Sequence, residues 1–63
     1  MDQSLEYVQR ELETQCANYT ESLSNGTAHD YAEYQHVCGM VRGLRTAIAI
    51  ITDLATRMET EDE

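Results

Sequence analysis

YQHVCGMVRGLRTAIAIITDLATRM, the stretch from Tyr34 to Met58, decides the fold of this chain. Within it Tyr34, Val37, Val41, Leu44, Ile48, Ile51, Ala55 and Met58 recur at alternating spacings of three and four. That alternation is a heptad seam, the pattern that keeps one face of a helix against a neighbour. Proline is absent from the whole chain, so nothing forces a break in so long a helix. Upstream, Leu5, Val8, Leu12, Cys16, Tyr19 and Leu23 make a shorter stripe of the same kind. Between the stripes lies Asn25-Gly26-Thr27, the one strong breaker. Val, Ile and Thr never alternate strictly with polar residues, so no strand is expected.

These features predict an all-α fold, a two-helix antiparallel hairpin that is a single domain over residues 1–63. The first helix is expected from about residue 4 to 24, capped by Asp2 or Ser4 and ended by Asn25-Gly26, residues that tolerate a left-handed backbone. Thr27 is expected to cap the second helix, with Asp30 as the far member of a capping box. That helix should run from about residue 28 to 58, roughly 45 Å. The acidic tail, 59–63, puts carboxylates at the negative end of the helix dipole and is expected to fray. With the turn centred near residue 27, facing residues have numbers adding to about 54. Cys16 then sits beside Cys38, Val8 near Ile48, and Leu5 near Ile48 and Ile51. Leu54, Ala55 and Met58 are expected to project past the first helix, uncovered.

A chain of 63 residues cannot bury much of its surface. Below roughly 70–80 residues one core seldom supplies more than about 3–5 kcal/mol, and oligomerisation commonly makes up the difference. The hairpin is therefore expected to oligomerise or to dock into a larger assembly.

The formal net charge is −8, with four arginines and no lysine. Such a chain repels nucleic acid phosphates and anionic lipid, which argues against direct binding of either. No apolar run approaches a membrane span, the longest being Ala47 to Ile51. Met1-Asp2-Gln3-Ser4 is acidic and polar where a secretory signal would be basic and apolar, so reduced thiols are expected at Cys16 and Cys38 in preference to a disulfide.

Neither metal nor cofactor is expected. There is no C-x-x-C or H-x-x-x-H spacing, and His36 points about 160° away from Cys38 on a helix turning about 100° per residue. His29 and His36 read as surface residues. No nucleophile motif, phosphate loop or carboxylate pair in a cleft is present, so no catalytic residue is assigned and the chain is not expected to be an enzyme.

The remaining signals concern contact with other proteins. Gly39 and Gly43 lie four apart on one helix, each costing about 1 kcal/mol relative to alanine. They share a face with Ala47, with His36, Thr46 and Ile50 alongside. Such a small-residue strip lets another backbone approach closely; the alternative is that a glycine makes room for a tyrosine of the first helix. Tyr19 and Tyr34 occupy seam positions, and Tyr31 with Tyr34 can form an exposed ring patch near the turn. The partner-binding residues expected are Gly39, Gly43, Ile50, Leu54, Ala55, Met58, Tyr31 and Tyr34.

Tyr34-x4-Gly39-x3-Gly43-Leu44, following an acidic first helix and a short Asn/Gly turn with Asp30-Tyr31 after it, resembles short helical-hairpin proteins encoded by tailed bacteriophages. The resemblance covers about Glu11 to Met58. It implies a virion-associated or accessory role, located in the virion or the bacterial host cytoplasm, with capsid, portal or tail proteins or further copies of the chain as partners. It carries over no catalytic residue. The alternative is an acidic phage inhibitor in which Glu6, Glu13, Glu21, Glu33, Asp53 and the tail imitate nucleic acid and block a host nucleic-acid-binding protein. Those charges are spread around both helices and form no phosphate-like row. A regulatory or toxin–antitoxin helical module is neither favoured nor opposed.

Overall fold

The computed structural model describes residues 2–26 and 28–61. It contains two helices, α1 (Gln3–Ser24) and α2 (Tyr31–Glu61), packed as an antiparallel hairpin. The result is a rod of 51 × 15 × 13 Å.

Asp2 starts α1, as expected from its position. Its carboxylate accepts from the backbone N–H groups of Ser4 at 2.8 Å and Leu5 at 3.3 Å, which answers two of the donors a helix start leaves unpaired. At the other end Asn25 stays right-handed and Gly26 alone adopts a positive φ, of 70°. The Gly26 N–H donates back to the Leu23 carbonyl at 3.2 Å. This is one of the two bonds of a Schellman stop, and glycine meets its left-handed requirement without strain.

The start of α2 departs from expectation. It begins at Tyr31, not near residue 28, because Asp30 is the cap. The Asp30 carboxylate accepts from the Glu33 N–H at 2.8 Å, and Glu33 reaches back to the His29 N–H at 3.0 Å. A charged acceptor with a glutamate three residues on makes a stronger box than a threonine with an aspartate. The proposed Thr27 cap lies outside the described residues. The far end also differs: α2 stays helical to Glu61, so residues 59–61 continue the helix. The Thr60 hydroxyl donates to the Thr56 carbonyl at 3.0 Å there, and no glycine or proline intervenes to stop it.

The helices face each other about two turns away from the expected register. The Gln9 amide donates to the Thr52 hydroxyl at 3.4 Å, so facing residues have numbers adding to about 61 instead of 54. The difference is one heptad. A stripe that repeats every seven residues matches itself equally well when slid by seven, so apolar pattern alone could not choose between the two.

Three corrections follow from this shift. Cys16 and Cys38 are offset by about seven residues, or about 10 Å along the axis at 1.5 Å per residue, beyond the reach of a disulfide; both are free and half-buried. Ala55 does not project past α1; it is 3 % exposed and, with Val41 at 8 %, makes up the buried apolar core of the described residues. The overhang lies at the opposite end. Ser24 faces about Val37 in this register, so Tyr31 to His36 extend beyond α1.

One stripe position is also exchanged. The α1 residues shielded from solvent are Leu5, Gln9, Leu12, Cys16, Tyr19, Ser22 and Leu23, whereas Val8 is exposed. Gln9 thus occupies the seam position assigned to Val8. It sits there as a polar residue whose amide also bonds the Glu13 carboxylate at 3.3 Å.

Candidate interaction surface

Two faces of α2 carry apolar residues, and α1 covers only one. The seam face holds Val37, Val41, Leu44, Ile48, Ile51 and Ala55, all shielded. About 100° around the helix, at 3.6 residues per turn, a second row runs through Met40, Gly43, Ala47, Ile50, Leu54 and Met58. Of these Ile50 is 65 % exposed, Leu54 44 % and Met58 39 %. Leu54 is therefore open to solvent because it lies off the seam, not because α1 has run out beneath it; Met58 faces about Gln3, the first residue of α1.

Met40 belongs to this row and was not among the residues singled out from sequence. Its signal was present: Met40, Gly43, Ala47, Ile50 and Leu54 repeat the three–four alternation of the main seam. The main seam contains the bulkier residues and masks the second one. Val8, on α1, falls on the same side of the hairpin by helical geometry and is likewise exposed.

A methyl group built on Gly39 or Gly43 would meet nothing within 4 Å. No tyrosine of α1 fills the space over either glycine, which removes the internal explanation for them. The strip is open ground on the outside of the hairpin.

Tyr31 and Tyr34 occupy the overhang. Their rings stack with centroids 6.4 Å apart; Tyr31 is 74 % and Tyr34 46 % exposed. Tyr34 is thus a surface residue despite its heptad position, since no α1 residue lies opposite it. The Gln35 amide donates to the Tyr31 hydroxyl at 2.7 Å and holds that ring in place. The Cys38 thiol, hydrogen-bonded to the Tyr34 phenol, raises the phenol above its usual titration range, with further contributions from partial desolvation and from Tyr31.

The opposite side of the hairpin bears a shallow groove lined by Thr20, Leu23, Cys38, Val41, Arg42 and Arg45, among others. Arg10 pairs with Glu6 at 3.1 Å and Arg57 with Asp53 at 3.0 Å, both on the surface. Arg42 and Arg45 make no ion pair among the described residues.

Charge is distributed unevenly along the rod. No aspartate or glutamate occurs between Glu33 and Asp53, where the only charged side chains of α2 are those two arginines. Carboxylates concentrate on α1 and toward the ends. Among the described residues no three His, Cys, Asp or Glu side chains are grouped to hold a metal ion. No helix is long and apolar enough to cross a membrane. Comparison with protein-family models, curated proteins and solved structures finds no match.

Proposed function

We propose that this chain is a non-enzymatic adhesive hairpin, a structural or accessory protein of a bacteriophage particle that binds virion proteins or itself through the second apolar row of α2. One observation carries the adhesive part of this reading. Ile50, Leu54 and Met58 stand exposed in line on one helix face, while among the described residues only Val41 and Ala55 are buried. Full burial of such a side chain from water is worth about 1.5–3 kcal/mol, and the part of each that is still exposed is available to a partner. The phage setting rests on the resemblance around Tyr34, Gly39 and Gly43.

Light scattering across a range of chain concentrations, together with mass analysis of particles made by the encoding phage, tests both parts. The expected result is association at micromolar concentration and presence in the particle. A chain that stays monomeric and is missing from particles overturns the proposal. Salt separates it from nucleic-acid mimicry: apolar docking holds or strengthens as salt rises, whereas binding of an acidic mimic to a basic cleft falls steeply.

A further inference from the structure

We infer that the occupant of the second row is a second copy of this chain, packed antiparallel with a two-fold axis at Ala47 and completing a four-helix bundle. The inference rests on the adhesive reading above and names its partner. Its first support is the symmetry of the row itself. Measured from Ala47, Met40 and Leu54 lie seven residues to either side, and His36 and Met58 eleven. An antiparallel copy centred there sets Met40 against Leu54 and His36 against Met58, twice each. It also sets the exposed Ile50 against the open ground over Gly43 of the other copy. A bulky side chain meets a gap, and the small Ala47 meets itself on the axis, where the two backbones come closest.

The second support is the angle. The seam and the second row are about 100° apart around α2, close to the right angle between neighbouring contacts in a square bundle. A two-fold axis perpendicular to α2 carries the second α1 to a position beside the first, so both copies close into one bundle with no further partner needed. Gln15 falls near the axis on that side, which makes the α1 contact polar and the α2 contact dry.

Area and charge agree. The hairpin exposes 4869 Å², whereas a compact monomer of 7.2 kDa exposes about 4,100 Å². The excess, about 770 Å², is close to the roughly 800 Å² that each partner of a standard interface buries. Self-association of a chain with net charge −8 is eased where like charges are absent, and Ala47 lies inside the α2 segment between Glu33 and Asp53 that has no carboxylate.

Single cysteines introduced into a Cys16→Ala, Cys38→Ala background test the geometry, with circular dichroism confirming helix content for each variant. Ala47→Cys should form a covalent dimer under mild oxidation, and Met40→Cys mixed with Leu54→Cys should form a mixed dimer. Leu54→Cys alone should not cross-link. Gly43→Leu, which fills the gap for Ile50, should weaken association in the uncross-linked full chain by at least about tenfold. Cross-linking of Leu54→Cys alone would show a parallel pair. Cross-linking at Ile50→Cys in place of Ala47→Cys would show a register one heptad removed. Either result overturns the inference and leaves the adhesive reading standing. A monomer at every concentration, with no binding to particle proteins, removes both.

Discussion

Leu54 and Ala55 are consecutive residues on one helix, yet the first is 44 % exposed and the second 3 %. The two apolar faces of α2 meet at this step. One face is occupied by the chain itself and decides whether the hairpin exists. The other is left open to solvent. The lesson is that apolar content alone does not separate core from interface; the angle around the helix does, and a rotation of one residue is enough to cross between them.

Substitution on either side of that step should break the molecule in different ways. Ala55→Asp puts a carboxylate into a site with no partner for it, at about 3 kcal/mol or more. A core this small cannot absorb that, and most of the helical circular dichroism signal should be lost at room temperature. Leu54→Asp should keep the helical signal at high chain concentration yet weaken association by at least about tenfold, measured by sedimentation. If both variants unfold alike, the two faces are not separable.

A smaller effect concerns the polar pair that marks the register. Replacing Gln9 by Leu and Thr52 by Val makes the seam wholly apolar and should stabilise the hairpin by about 1 kcal/mol. It should also remove the feature that discriminates between registers one heptad apart. The slipped register places Cys16 beside Cys38. Mild oxidation should therefore form the intramolecular disulfide in the variant and leave the parent thiols unpaired, which mass analysis after alkylation reads directly.

Gly39→Ala comes next, with a gain of somewhat under about 1 kcal/mol, because the added methyl meets open space and alanine favours the helix. A rise in melting temperature at fixed chain concentration checks it. The smallest effect is at Tyr34. Its folded-state pKa is raised, so the Tyr34–Cys38 contact contributes stability that is fully present below the ordinary tyrosine pKa and is lost as pH rises through the folded value. Cys38→Ala should move the Tyr34 phenolate absorbance transition to lower pH, toward the unperturbed range.

Much of this was legible in the residue pattern. The heptad spacing from Tyr34 to Met58 and the breaker at Asn25-Gly26 were enough for the hairpin, because side chains repeating at three and four can be covered only by a neighbouring helix. Asp2 as cap and Gly26 as stop were readable from local chemistry. The register was not, for a repeat is by nature indifferent to sliding by its own period. The choice depends on Gln9, a polar residue inside an apolar seam, and on a cap at Asp30 that lengthens the connection. The even spacing of Leu5, Val8 and Leu12 points to Val8 at the position that Gln9 takes. Because of that slip Ala55 is expected on the open surface, whereas it lies in the core. The uncovered face at Ile50 and Gly43 was visible from the cost of two glycines in one helix, but its extent through Met40 was masked by the bulkier seam beside it.

The uneven placement of carboxylates has a consequence for the size any assembly can reach. Along α2 the middle of the rod carries no carboxylate, and the acidic groups there are those of α1, Glu11, Glu13 and Glu21, while Asp2, Glu6 and Glu59 crowd one pole and Asp30 and Glu33 the other. Two rods can lie side by side at the waist, but end-on stacking brings like charges together at every junction. Growth into a filament is thereby opposed.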